Sequence, residues 1–376
     1  MDKIYFDNAA TTPIHPDVVH TMHQVMLNHF GNPSSIHAYG RTSRTLIEKS
    51  RKTVADILNA SSGEIFFTSS ATESNNMALL RSVIDLGVTR IISSPTEHPC
   101  VLNSLKAIKE LYPSTEILYL DTCTKGHVDL SQLETMLKAS TDKTLVSLMH
   151  GNNEVGTMLN LQAVSNICEQ HEALFHCDTV QTIGKFDIDL QKLNVSFLSG
   201  SGHKIYGPKG IGMIYINSNN MIKAMINGGG QERQLRSGTE NIYGIVGFAK
   251  ALELLYNHKE DHNNKLLELR SYFKDKSQSE LSNVLFNGDQ ESSYLPHILN
   301  MSIPKTDKTD LIMFNLDIHG ICASAGSACS SGSERDSHVL QAINSPEDRK
   351  AIRFSFSTIN TKDEIDMVID KMKEIL

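Results

Sequence analysis

Between about residue 40 and residue 216, short apolar runs alternate with stretches whose apolar residues recur every three to four positions. Tyr39 to Asn59 carries Leu46, Ile47, Val54, Ile57 and Leu58 at helical spacing and predicts an amphipathic helix. Apolar runs at Glu64–Thr68, Arg90–Ser93, Glu116–Leu120, Thr144–Met149, Ala173–Cys177, Val195–Leu198 and Ile211–Ile216 predict strands. Helix-like stretches at Glu73–Leu86, Asp129–Ala139 and Leu161–His171 separate most of them. Strands alternating with helices predict an α/β fold, a mostly parallel seven-stranded sheet flanked by helices. Ligands of such sheets gather at the carboxyl ends of strands. Residues 240–280 read as one or two long helices, and Gly228-Gly229-Gly230 before them as a loop. Beyond about residue 282 the rhythm shifts to shorter strands and one late helix, Thr361–Ile375.

At 376 residues the chain is too long for one ordinary core, so a large domain plus a smaller one is expected. A net charge of −8 and a pI near 6.0 predict no broadly basic nucleic-acid surface. The start Met1-Asp2-Lys3-Ile4-Tyr5-Phe6-Asp7 lacks the basic-then-apolar form of a secretion signal. No apolar stretch approaches the roughly 18–20 residues of a membrane span, and a cytoplasmic location is expected. Six cysteines form no C-x-x-C pair, which argues against a zinc knuckle or a disulfide scaffold.

Several candidate groups follow the predicted strands. Asp178 ends one of them, in Phe175-His176-Cys177-Asp178-Thr179-Val180-Gln181. Pyridoxal phosphate (PLP) needs an acid beside its ring nitrogen, although an aspartate there also serves as a turn residue or helix cap. About 20 residues on, Ser199-Gly200-Ser201-Gly202-His203-Lys204 and Ile205-Tyr206-Gly207-Pro208-Lys209-Gly210 form a glycine-dense loop. Small residues let backbone approach a ligand closely, Ser201 and His203 offer phosphate donors, and Lys204, with Lys209 as rival, offers a nucleophilic amine. Upstream, Ser70 and Glu73 fit a capping box, which would leave backbone N–H groups at a helix start for an anion. His98, in Thr96-Glu97-His98-Pro99, could stack on a ring and move protons near neutral pH.

Together these segments closely resemble the cysteine desulfurases, a branch of the class-V aminotransferases. The resemblance runs through Asp7-Asn8-Ala9-Ala10-Thr11-Thr12-Pro13, Phe30-Gly31-Asn32-Pro33-Ser34, the Ser201–Gly210 loop and Arg236-Ser237-Gly238-Thr239 to Gly326-Ser327-Ala328-Cys329 and Ile352-Arg353-Phe354-Ser355. It implies the fold type I of PLP-dependent transferases. The large cofactor-binding domain would span 14–258; residues 1–13 and 259–376 would build a small α+β domain carrying the Cys329 loop. It implies Lys204 as the Schiff-base lysine, Asp178 at the ring nitrogen, Gln181 at the ring oxygen and His98 on the ring face. Ala71, Thr72, Ser201 and His203 match the family's phosphate contacts. Thr239 matches a phosphate contact from a neighbouring subunit, which implies a homodimer. Asn153 and Arg353 match residues at the cofactor and the substrate carboxylate, and a planar guanidinium suits that group.

Every neighbour of Cys329 between Ala323 and Ser333 is Ala, Ser or Gly, so the segment can bury little and is expected to swing a thiol into and out of a site. The resemblance then implies conversion of L-cysteine to L-alanine, with the sulfur left as a persulfide on Cys329. The Gly-Ser-Ala-Cys loop matches the long-loop branch. Only 23 residues follow Arg353, fewer than in members whose tail engages an iron–sulfur scaffold, which favours a tRNA-thiolation enzyme as sulfur acceptor. Ser357-Thr358 stands where many relatives have Gly-Arg. Two alternatives share these residues: another PLP enzyme of the family, such as a selenocysteine lyase, or an idle interaction subunit of a sulfur-transfer complex.

Overall fold

The computed structural model describes residues 3–325 and 337–376. The described chain opens with a short strand, β1 (Ile4–Tyr5), and two helices, α1 (Pro16–Asn28) and α2 (Ala38–Leu58). Asn59 ends α2 in the left-handed conformation, a short polar residue suited to that cap. The large sheet then takes β2 (Ile65–Thr68), β3 (Arg90–Ser93), β4 (Glu116–Tyr119), β5 (Thr144–Met149), β6 (Leu174–Asp178), β7 (Phe197–Ser201) and β8 (Gly212–Ile216). These match the seven apolar runs of the sequence. Most are continuously apolar rather than alternating because helices cover both faces of the sheet. The helices are α3 (Ala71–Ile84), α4 (Pro99–Leu111), α5 (Leu130–Lys138), α6 (Leu161–Gln170) and α7 (Ile242–Asn257).

Strand order is β2-β8-β7-β6-β5-β3-β4. All pairings are parallel except those of β8, which runs antiparallel to β2 and β7. From β3 the chain steps outward to β4 and returns to β5 on the other side of β3. That reversal opens a crevice at the carboxyl ends of β3 and β5, where His98 and Asn153 follow.

The 240–280 region forms two helices, α7 and α8 (Lys259–Glu280), that meet at His258. Beyond α8, the antiparallel sheet β12-β10-β9 comprises β9 (Leu285–Asn287), β10 (Ile298–Pro304) and β12 (Arg349–Ser355), while β11 (Ile321–Cys322) pairs parallel with β1. A separate apolar cluster joins this region to the N-terminus: Phe6 packs on Phe356 and Phe273, with ring centroids 5.4 and 6.2 Å away. With Phe6 anchored there, Asp7 to Thr12 leave that core and cross to His203 and Lys204, which follow β7 of the large sheet. No helix among the described residues is long and apolar enough to cross a membrane.

Candidate active site

Asp178 is the last residue of β6 and is buried. Its Oδ2 accepts from Asn75 Nδ2 at 2.7 Å and its Oδ1 from the Val180 N–H at 3.0 Å. A carboxylate only accepts, so Asn75 must turn its NH2 to Asp178 and its Oδ1 to His176 Nε2, 3.1 Å away. His176 therefore carries its proton on Nε2 and accepts at Nδ1 from Ser147 Oγ, at 2.9 Å. Burial lowers the His176 pKa to about 4, which keeps the ring neutral and this donor pattern intact. The chain Ser147–His176–Asn75 thus fixes the carboxylate.

Lys204 lies in the 3-10 turn Gly202–Lys204 that ends β7. Its Nζ donates to the carbonyl oxygens of Ala9 and Ala10, the latter at 2.7 Å. Lys209, the rival amine, is exposed. Gln181 Nε2 donates to the same Ala9 carbonyl at 3.0 Å, which joins Lys204 and Gln181 through one oxygen. His203 faces Thr11 Oγ1 at 3.3 Å, and burial with the neighbouring Lys204 and Lys209 charges lowers its pKa to about 4. His98 caps α4, its Nδ1 accepting from the Cys100 N–H at 3.2 Å, so any ring proton sits on Nε2. Burial lowers its pKa, against the opposing pull of Asp178. A neutral imidazole results, able to take a proton.

Ala71 and Thr72 open α3, where no preceding helical carbonyl can accept from their N–H groups. Ser70 Oγ accepts from the Glu73 N–H at 3.3 Å, but the reciprocal half of the expected capping box is absent. The Glu73 carboxylate turns instead to the Ser69 N–H at 2.8 Å and to Arg236 Nε at 3.0 Å, because a guanidinium outcompetes a second backbone donor. Ser201 is buried at the end of β7, and Thr239 is exposed beside a cavity that Thr68, Ser69, Arg236 and Glu240 also line.

Arg353, on β12, is only 1% exposed. Its NH1 group donates to the Asn153 carbonyl at 2.7 Å and its NH2 group to Asp7 Oδ1 at 2.8 Å, leaving the buried Nε without a partner among the described residues. An unpaired buried donor is costly unless a ligand satisfies it, and a carboxylate would. Cys329 lies outside the described residues.

These groups fit PLP. A fixed carboxylate suits the ring nitrogen, a half-buried amine suits the aldehyde, and a helix start suits the phosphate. The cradle is also close-packed: a Cβ on Gly212 would come within 2.5 Å of the Ser70 backbone.

A family model for class-V aminotransferases matches residues 4–368. The chain belongs to this family. It is 40% identical to the cysteine desulfurase IscS of Dictyoglomus turgidum, over 100% of this chain and 94% of the relative. With the mitochondrial cysteine desulfurase of Arabidopsis thaliana it shares 38% identity, over 98% and 81% of the two chains. A solved NifS-like protein superposes with a TM-score of 0.91 at 36% identity, covering 99% of each chain. A structure described as SspA in complex with cysteine matches with a TM-score of 0.80 at 30% identity, over 95% of this chain and 100% of that one. The class-V assignment and the seven-stranded sheet agree with the expectations from sequence.

The sequence reading assigned no role to six residues of this class-V site. Asn75 orients Asp178 from one turn inside α3, and only its distance of three residues from Thr72 hinted at it. Glu97 sits beside His98 with its Oε1 accepting from the Met149 N–H at 2.8 Å; burial, with Asp178 adding to it, pushes its pKa well above the usual carboxylate range. The Ala9 and Ala10 carbonyls carry no side-chain signal. Lys185 and His297 are 112 residues apart and meet only in the fold.

Proposed function

We propose that the chain is a PLP-dependent cysteine desulfurase that releases L-alanine from L-cysteine and leaves the sulfur as a persulfide on Cys329. The observation that carries this reading is the Asp178 carboxylate fixed by Asn75, together with the Asp7–Thr12 segment that pairs Asp7 with Arg353 and gives the Ala9 and Ala10 carbonyls to Lys204. The cysteine desulfurase names of the relatives support it. When bound, PLP would supply an electron sink for negative charge at the substrate Cα.

The chain's own groups do the rest. Arg353 binds the substrate carboxylate through the terminal guanidinium N–H groups that Asn153 and Asp7 leave unused. Asn153, whose carbonyl accepts from Arg353, borders both cofactor and substrate in this reading. Lys204 and neutral His98 hold and move protons, the first at Cα and the second near the leaving sulfur. Ala71, Thr72, Ser201 and His203 hold the phosphate, with Thr239 delivered from a second copy. Leu27, Phe30, Ile36 and Tyr39, all more than half exposed within 13 residues of chain, supply apolar surface for that copy. Cys329 thiolate attacks the substrate sulfur; the S–S bond forms as the Cβ–S bond breaks, the bond's electron pair stays with carbon and Cβ takes a proton to become the methyl of alanine, and a second protein then takes the sulfur. The favoured acceptor class is a tRNA-thiolation enzyme.

Mass spectrometry of the PLP-loaded protein after incubation with L-cysteine tests this. We expect alanine together with a persulfide mapped to Cys329, and for Cys329→Ser the loss of that persulfide. Undiminished persulfide in the variant would overturn the assignment of Cys329, and absence of alanine would overturn the reaction.

A further inference from the structure

A buried chain of polar groups lies behind Gln181 and takes no part in the reaction described above. His297 Nε2 is 3.0 Å from Gln181 Oε1 and 3.2 Å from Lys185 Nζ. All three side chains are almost fully buried. Lys185 follows β6 in the large domain, whereas His297 precedes β10.

Donor counting fixes the protons. The Ala9 carbonyl can only accept, so the Gln181 atom facing it is the NH2 group and the atom facing His297 is Oε1. Two facing acceptors would repel, so His297 carries its proton on Nε2 and donates it to Gln181. The Lys185 nitrogen then meets an N–H rather than a lone pair, a contact that only a neutral amine with its own lone pair can make favourable. The surroundings agree. Burial first, and then the Lys204 charge, lower the Lys185 pKa to about 7. The charged or titratable groups acting on His297 are all bases: Lys185, His262, Lys204 and Arg353. His297 Nδ1 has no partner among the described residues, so nothing there competes for the ring proton.

We propose that His297 and Lys185 are positioning residues for Gln181: the His297 Nε2–H locks the amide so that its second N–H is presented to the cofactor's ring oxygen. This rests on the cofactor reading given above. The lock spans two domains, which ties the ring-oxygen contact to their packing.

The test titrates the visible absorbance of the PLP-loaded protein with pH. A donor to the ring-oxygen anion favours the deprotonated form, so weakening it raises the midpoint. His297→Phe is expected to raise the midpoint by about one pH unit, a tenfold change and the scale of one hydrogen bond. His297→Asn keeps an N–H donor and is expected to recover at least half of that shift. An unmoved midpoint in His297→Phe overturns the proposal. Independently of cofactor, the ring 15N shifts of His297 in PLP-free wild-type protein are expected to report an Nε2–H tautomer, and an Nδ1–H tautomer overturns it. This second measurement decides the matter if His297→Phe fails to fold. Should the protein bind PLP yet release no alanine, the proposed reaction falls while the absorbance shift still decides the role of His297.

Discussion

Lys185 shows at the scale of one residue how burial sets chemistry. Taking an ammonium out of water is expensive, and no carboxylate among the described residues offsets it, so burial and the Lys204 charge lower the amine's pKa to about 7 where most lysines stay fully charged. In the unfolded chain the same amine holds its proton to about pH 10.4. Between about pH 7 and that value the unfolded state therefore binds more protons, and stability rises with pH. Lys185→Met removes this penalty. Its melting temperature is expected to exceed that of the wild type most at pH 7, with the gap closing toward pH 10. Chemical-denaturation midpoints at the two pH values check this, and a gap that widens with pH would sink it.

Among the elements, α3 and β8 are coupled by a close approach. The backbone of Gly212 opens β8 directly beneath the first residues of α3, and a methyl there would meet Ser70 C at 2.5 Å and Ala71 N at 2.8 Å. Backbone cannot yield as a flexible side chain does, so Gly212→Ala must displace the turn that presents Ala71 and Thr72. PLP affinity of the variant, followed by fluorescence titration of the PLP-free protein, is expected to fall at least tenfold, about 1.4 kcal/mol. An unchanged affinity would detach the phosphate from this helix start. At this scale the sequence was easy to read where signals are local. The apolar runs fixed seven strands because a covered parallel sheet makes each run hydrophobic on both faces. The Ser70 cap was visible because its partner is three residues away. The redirection of Glu73 was not visible, because Arg236 lies 163 residues further along.

Across the whole molecule, the segment Asp7–Thr12 ties the two cores together. It leaves the aromatic cluster at Phe6, pairs Asp7 with Arg353, and supplies the Ala9 and Ala10 carbonyls to Lys204. Asp7→Asn would leave a buried guanidinium without its counter-charge. Losing one partner of a fully buried pair costs roughly 3–5 kcal/mol. Asp7 is 21% exposed on its side chain, so we expect a smaller loss, about 2 kcal/mol. L-alanine, whose carboxylate can take the vacated place, is expected to raise the melting temperature of the variant more than that of the wild type. Equal shifts would show that Asp7 does not share the guanidinium with a substrate carboxylate.

The sequence by itself determined the α/β alternation, the strand positions, the family, and the identity of Asp178, Lys204, Gln181 and Arg353 as chemically apt residues. The alternation, the strands, Asp178 and Lys204 rest on residue type or on spacing within one or two elements, whereas the family and the roles of Gln181 and Arg353 rest on resemblance to the cysteine desulfurases; a linear reading contains both. Only the tertiary structure decided which of Lys204 and Lys209 is enclosed, which way the Gln181 amide turns, that Asn75 orients Asp178, and that burial lowers the Lys185 pKa to about 7. Those outcomes depend on desolvation and on donors and acceptors that must pair across more than 100 residues of chain, and such pairing exists only after the two cores have packed.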